Sequence, residues 1–225
     1  MSKRIYISPS SQSENLYAVG GTNEKEQCEK IARACVAFLQ KHGFNVKTRY
    51  NSDMYVRVAE SNAFNADLHV AIHTNATANH KVTGGTSVLL YSLSGERKKA
   101  GQAIFERLAP ITPGDSAERL MAYPDFYEIK NTRAVAVYCE CEFHDTKDGA
   151  SYIINNTTAI GEAIAMGICD YYGVSVEKNK NNASSEDETL YVVQAGVFKS
   201  RKNAEALADK LKKSGFDSVI KSYDA

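Results

Sequence analysis

The sequence predicts an α/β fold, a mostly parallel twisted sheet flanked by helices on both faces, followed by a short strand–helix–strand unit. Three observations carry this reading. Apolar runs of strand length alternate with longer segments of helical periodicity as far as Tyr172, the pattern of a sheet built with crossover helices. Within the run Asp67-Leu68-His69-Val70-Ala71-Ile72-His73, Leu68, Val70 and Ile72 share one face, and His69, Ala71 and His73 the other. From Glu177 to Thr189 the only apolar residue is Ala183, the composition of a flexible linker. The division expected is therefore 1–174 for the main domain, 175–189 for the linker and 190–225 for the last unit. At 225 residues the chain can bury one good core and a small appendage.

The elements follow in order. Arg4-Ile5-Tyr6-Ile7-Ser8 is an opening strand. A helix over 24–41 starts at Asn23, which makes a capping box with Glu26. It repeats apolar residues at Cys28, Ile31, Ala32, Cys35 and Leu39 and closes at Gly43, a C′ residue. A strand over 44–49, a helix over 54–64 and the strand over 67–73 come next. Thr83-Gly84-Gly85-Thr86 leads into a strand over 85–91, then a helix over 95–109. Pro110 to Pro124 reads as irregular, either a surface loop or the cover of a binding groove. A short strand is expected near 127–129, a buried strand over 134–140 and a helix over 150–172.

Composition excludes several classes. Formal net charge is zero, which argues against a nucleic-acid binder held by phosphate attraction. No apolar stretch reaches membrane-spanning length. Met1-Ser2-Lys3-Arg4 enters a strand with no apolar leader, so synthesis in the cytoplasm without a signal peptide is expected. The five cysteines, Cys28, Cys35, Cys139, Cys141 and Cys169, fall on apolar faces and read as reduced core residues. Cys139-Glu140-Cys141 is also open to thiolate metal ligation, but both cysteines share the face opposite Glu140.

The chemistry-bearing candidates sit at element ends. His73 ends its strand before Thr74-Asn75-Ala76, at the edge where open α/β sheets build sites; a strand-end histidine with a satisfied hydrogen bond is the alternative. Glu24 lies in the first turn of a helix, where an acid also complements the dipole. Glu140 is a carboxylate at the end of a buried strand, and such residues are seldom buried without a partner or a task. A histidine, a helix-start glutamate and a strand-end glutamate are the parts a zinc hydrolase needs.

Arranged this way, the chain resembles the zinc-dependent N-acetylmuramoyl-L-alanine amidases of the type 3 family. The likeness runs through Arg4-Ile5-Tyr6-Ile7-Ser8-Pro9, Glu24 to Ala32, Arg57 with Ser61-Asn62 and Ala66 to Ala76, and Ala134 to Phe143. It implies zinc held by Glu24 and His73, with Glu140 as the base and Glu142 as its alternative on the same face. Asn75 is an orienting residue, and Arg57 anchors the turn near the site or makes a surface salt bridge. The reaction implied is hydrolysis of the amide between N-acetylmuramic acid and the L-alanine of the stem peptide by a zinc-activated water. One departure stands out. The family's opening strand runs into Pro-Gly-His-Gly, whose histidine binds zinc, whereas this chain has Ser8-Pro9-Ser10-Ser11-Gln12. Gln12 is the third-ligand candidate, with Ser11, His69, His144 and water as the others.

Leu190 to Phe198, Asn203 to Leu211 and Gly215-Phe216 resemble the opening half of a SPOR domain, a peptidoglycan-binding module. The sequence stops at Ala225, about where a second half would begin. A half module leaves a helix face and sheet edges uncovered, so a partial module is expected. The partner implied is peptidoglycan, with oligomeric state open. Action on the wall would follow lysis or holin-type release, in a phage or a sporulation setting. The rival reading is a catalytically inactive peptidoglycan-binding protein; a hydrolase of small amides is a third.

Overall fold

A computed structural model describes residues 2–77, 84–114, 119–176 and 200–213. Residues 1–177 form one compact unit and residues 178–225 another. Among the described residues of the first unit, six strands make one sheet in the order β2-β1-β3-β6-β4-β5. These are β1 (Arg4–Pro9), β2 (Asn45–Thr48), β3 (Leu68–Asn75), β4 (Ser87–Leu90), β5 (Arg119–Ala122) and β6 (Val135–Phe143). Pairing is parallel except between β4 and β6. The α/β class and the mostly parallel sheet agree with the sequence reading.

The two faces of the sheet differ in chemistry. Leu68, Val70, Ile72, Ile5, Ile7, Val137 and Cys139 bury one face under α1 (Glu24–Lys41), α3 (Gly95–Leu108) and α5 (Lys147–Tyr172), with α5 packed on both α1 and α3. The other face carries Tyr6, Ser8, His69, His73 and Tyr138, and meets α2 (Met54–Ala63) and α4 (Tyr127–Asn131). Alternation along β3 thus sorts apolar from polar side chains, yet every β3 residue from Leu68 to Thr74 is buried. The five cysteines are free and buried.

Local signals explain the boundaries. Asn23 accepts a hydrogen bond from the Glu26 amide at 3.0 Å, a side-chain cap for an orphan helix donor. Only half of the expected box forms, because the Glu26 carboxylate accepts from the Thr22 hydroxyl at 2.7 Å. Gly43, with φ of +82°, follows α1 as foreseen. Thr146 caps α5 by accepting from the Gly149 amide at 3.1 Å, so that helix starts ahead of the expected residue 150.

Two expectations are corrected. Residues 127–129 are not a strand but part of α4, and the edge strand is β5, inside the segment expected to be irregular. A five-residue helix is too short to display a 3.6-residue period. β5 pairs with β4 alone and buries little, so its alternation is weak. In the second unit α6 (Arg201–Lys213) occupies the expected helical segment; the strands expected on either side and most of the linker lie outside the described residues.

The packing of α5 on α1 sets where Glu24 sits. A Cβ added at Gly161 would lie 2.4 Å from the Ile31 carbonyl oxygen and 2.9 Å from the Cys35 amide nitrogen. Backbone atoms within a helix cannot yield cheaply, so Gly161→Ala should destabilise the protein by about 1–3 kcal/mol. Chemical denaturation checks this, and an unchanged midpoint would mean that α1 shifts freely.

Candidate active site

The polar site lies at the carboxyl ends of β1, β3 and β6, where α1 begins. Glu24 is the first residue of α1 and is 1% exposed. Its Oε1 lies 2.8 Å from His73 Nδ1, and the Thr74 amide approaches the same oxygen at 3.4 Å. Its Oε2 accepts from Asn15 Nδ2 at 2.6 Å. Burial by itself raises the Glu24 carboxyl, but His73, Asn15 and the Ser10 hydroxyl outweigh it and leave the group lowered.

His73 is held on three sides. Besides Glu24, its Nδ1 lies 3.3 Å from Gln12 Nε2. Its Nε2 lies 3.4 Å from Glu128 Oε2. Its ring stacks on Tyr138 at 4.3 Å between centroids. Burial disfavours the imidazolium, yet the Glu128 and Glu24 carboxylates on its two sides prevail and raise His73 to about 9. Without metal the ring is therefore a cation between two carboxylates at neutral pH.

Glu140 stands opposite His73 in the β3–β6 register. The residue keeps some solvent contact, but its Oε2 is buried and has no hydrogen-bond partner among the described residues. Burial raises its carboxyl to about 7, helped by Glu24 and opposed by His73. Glu142 is placed differently. It is fully buried, accepts the Gly85 amide at 2.9 and 3.1 Å and accepts its neighbour's amide, Phe143, at 2.8 Å. Gly84, with φ of +119°, passes so close that a Cβ there would lie 2.8 Å from Glu142 Oε1. Glu142 clamps the entry to β4.

The structure thus brings Glu24, His73, Gln12 and Glu140 together. Gln12, rather than Ser11, turns toward His73, and its Oε1 accepts from Asn15 Nδ2 at 2.9 Å. Asn75 lies two residues beyond His73, where its Oδ1 accepts from the Ala76 amide at 2.9 Å and its carbonyl accepts from the His144 amide at 2.9 Å. Arg57 makes no surface salt bridge: it is 1% exposed and donates from Nε to Ser8 Oγ at 2.8 Å and from Nη1 to the Ser52 carbonyl. It anchors the end of β1. The other nitrogen candidates are engaged elsewhere, His69 with Glu128 at 3.3 Å and His144 with Thr74 at 3.0 and 3.1 Å.

Sequence reasoning missed Glu128 and Asn15. Glu128 is 2% exposed on α4. Burial pushes its carboxyl up, but His69 and His73 overcome this and hold it well below the usual carboxylate range. The available signal was an acid set between Tyr127 and Ile129 beside Phe126, an unusual neighbourhood for a charge.

Carboxylate oxygen and imidazole nitrogen are donors that zinc accepts, and Glu24 and His73 already converge on one point. Among the described residues no three His, Cys, Asp or Glu side chains are grouped to hold a metal ion, so a third protein donor would have to be an amide or hydroxyl oxygen. Gln12 is at hand. A half-turn of the Gln12 amide keeps its shape and lets the oxygen face the site, at the cost of the hydrogen bond from Asn15 Nδ2. The residues fit a weak zinc site.

Comparison with known proteins agrees with this architecture. Residues 5–170 match the N-acetylmuramoyl-L-alanine amidase family model, and residues 175–224 match the SPOR domain model. A sporulation-specific N-acetylmuramoyl-L-alanine amidase of Bacillus subtilis (strain 168) is 26% identical over 224 residues, covering 96% of this chain and 84% of the relative. An endolysin of Bacillus phage SPP1 is 26% identical over 185 residues, covering 76% of this chain and 66% of the endolysin. The solved structure of the amidase AmiC2 of Nostoc punctiforme shares the fold with a TM-score of 0.66 at 19% identity, covering 76% of this chain and 97% of that one. By its match over residues 5–170, the chain belongs to the N-acetylmuramoyl-L-alanine amidase family.

Proposed function

We propose that the protein is a zinc-dependent peptidoglycan amidase in which Glu24, His73 and Gln12 hold the metal and Glu140 moves the proton. Family membership carries the reaction, hydrolysis of the amide between N-acetylmuramic acid and the L-alanine of the stem peptide. The observation that carries the site is the 2.8 Å approach of Glu24 to His73 beside Gln12, with an unpartnered Glu140 oxygen across the strand pair.

Zinc, when bound, supplies Lewis acidity that lowers the pKa of a water and polarises the scissile carbonyl. The rest falls to the chain. Glu140, with a carboxyl near 7, suits a general base that takes the water proton and returns it to the leaving amine. Glu142 is the poorer choice because backbone amides already fill its oxygens. Tyr138 holds the His73 ring by stacking, and Asn15 and Ser10 keep Glu24 ionised and aimed. The SPOR match supports anchoring on peptidoglycan. Among the described residues no helix is long and apolar enough to cross a membrane.

Zinc content measured together with turbidity loss of purified cell walls tests the reading. Bound zinc with lysis supports it. Wall binding with neither indicates an inactive binding protein, and zinc without wall activity indicates an amidase of other substrates.

Glu140→Gln should keep zinc and fold while losing at least about two orders of magnitude in rate; near-wild-type lysis removes Glu140 from the mechanism. The same change should stabilise the metal-free protein. The wild-type carboxylate ionises at about 7 when folded but at about 4.3 when unfolded, so the penalty is absent below the lower value and complete above the higher. A thermal-stability gain for the variant at pH 8 that fades toward pH 4 is expected; a gain that does not fade with pH contradicts the burial argument.

His73→Ala and Glu24→Ala should each reduce zinc occupancy sharply, and Gln12→Ala should release zinc at chelator concentrations the parent survives, because a site with one imidazole has little affinity to spare. Full retention in any of them removes that residue from the ligand set.

Metal and proton compete for His73 Nδ1. Below about 9 the proton occupies it, so apparent zinc affinity should rise with pH, by up to about tenfold per unit, and level off above that value. Competition titrations across pH 6.5 to 9.5 measure this; a flat profile would place the metal away from His73.

A further inference from the structure

We propose that Glu128 is the positioning residue that fixes the tautomer and ring orientation of His73, so that Nδ1 presents its lone pair to the site shared with Glu24 and Gln12. The inference rests on the zinc-amidase reading above, and it assigns work to a helix that no sequence motif marks.

The geometry is specific. His73 Nε2 points away from Glu24 and lies 3.4 Å from Glu128 Oε2. Both atoms are buried, and neither has a hydrogen-bond partner in the described residues. The other Glu128 oxygen is fixed from behind: Oε1 accepts from the Ser8 hydroxyl and lies 3.3 Å from His69 Nε2. Ser8 is in turn held by Arg57 Nε at 2.8 Å, and the His69 ring is stacked on Tyr6. Strand β1, strand β3 and helices α2 and α4 therefore converge on one carboxylate whose remaining oxygen faces His73. A metal-ligating histidine commonly donates its other ring N–H to a carboxylate, which sets the tautomer and strengthens the ligand. Here the two atoms face each other on the side of the ring opposite Glu24, as an ion pair 3.4 Å apart that a small adjustment would bring to hydrogen-bond geometry.

Glu128→Gln tests it with an unusual sign. Oε1 faces two donor groups, so the glutamine oxygen takes that position and its amide nitrogen takes the place of Oε2. His73 Nε2 then meets a donor and must accept, which moves the ring proton to Nδ1 and blocks ligation. Zinc affinity should fall roughly 10- to 100-fold. Glu128→Met removes the acceptor without presenting a donor and should bind zinc better than the glutamine variant. A purely structural role gives the reverse order, since methionine leaves the Ser8 and His69 donors unmatched.

The deciding readout is the nitrogen-15 signature of the His73 ring, taken on the full chain. Zinc-loaded wild type should carry its proton on Nε2, with Nδ1 unprotonated. A proton on Nδ1 instead, or zinc affinity unchanged in Glu128→Gln, overturns the proposal. Should either variant fail to fold, the wild-type tautomer decides alone. If wild type binds no zinc, the metal assignment fails separately. The positioning role is then upheld by a hydrogen-bonded Nε2 proton in the metal-free protein that is lost in Glu128→Gln, and overturned if that proton is absent from wild type or persists in the variant.

Discussion

A carboxylate and an imidazole are packed together where almost no water reaches, and the surrounding elements are arranged to make this tolerable. Glu24 could not stay ionised at 1% exposure on the attraction of a helix amino terminus alone, since that attraction offsets only about 0.3–1 kcal/mol at exposed sites and up to about 2 in partly buried ones. Its stability comes from His73, Asn15, Ser10 and the Thr74 amide. The loop between β1 and α1 is fastened to the helix start by backbone bonds from Glu24 to Asn15 and from Lys25 to Gln12. The partners are thus fixed before any ligand arrives. Such preorganisation lets a small polar site keep its geometry.

That contact in turn depends on apolar packing some distance away. Helix α1 lies on α5 across Gly161 and on the face of the sheet formed by Leu68, Val70 and Ile72. The same two-residue period that buries those side chains turns His69 and His73 to the opposite face. There Arg57, Ser8, Glu128 and His69 form a buried polar set beside the apolar cluster of Ala71, Ile129 and Tyr138. Networks of this kind are strong when every member is satisfied and costly when one is not. Three buried atoms that make no hydrogen bond among the described residues, His73 Nε2, Glu128 Oε2 and Glu140 Oε2, lie around the site, where a protein gives up stability for function.

Much of this could be read from the sequence because it depends on periodicity. The alternation of 67–73 placed His73 at a strand end, the 3.6-residue repeat after Asn23 placed Glu24 in a first helical turn, and the apolar run through Cys139 placed Glu140 near the end of a central strand. Gln12 was singled out only by the missing histidine, and its side chain does reach His73. What escaped has no period. Helix α4 is a single short turn, so Glu128 was assigned to a strand. Asn15 sits in an irregular loop, and its role depends on where that loop folds back. For Arg57 the sequence leaves both an anchoring role and a surface salt bridge open, because nothing local reveals that Ser8, far away in sequence, lies beneath it. Glu140 and Glu142 looked equivalent by alternation, and the register shift between His73 and Asn75 together with the close approach of Gly84 and Gly85 separates them.

The proposed metal site differs from a two-histidine site in a way that spectroscopy reads directly. X-ray absorption at the zinc edge of the loaded protein counts the donors and identifies imidazole by its outer-shell scattering. The account predicts a shell of oxygen and nitrogen donors containing one imidazole and no sulfur. Two imidazoles, or any sulfur, would contradict it, since either would require His69, His144 or a core cysteine to leave the place it occupies here.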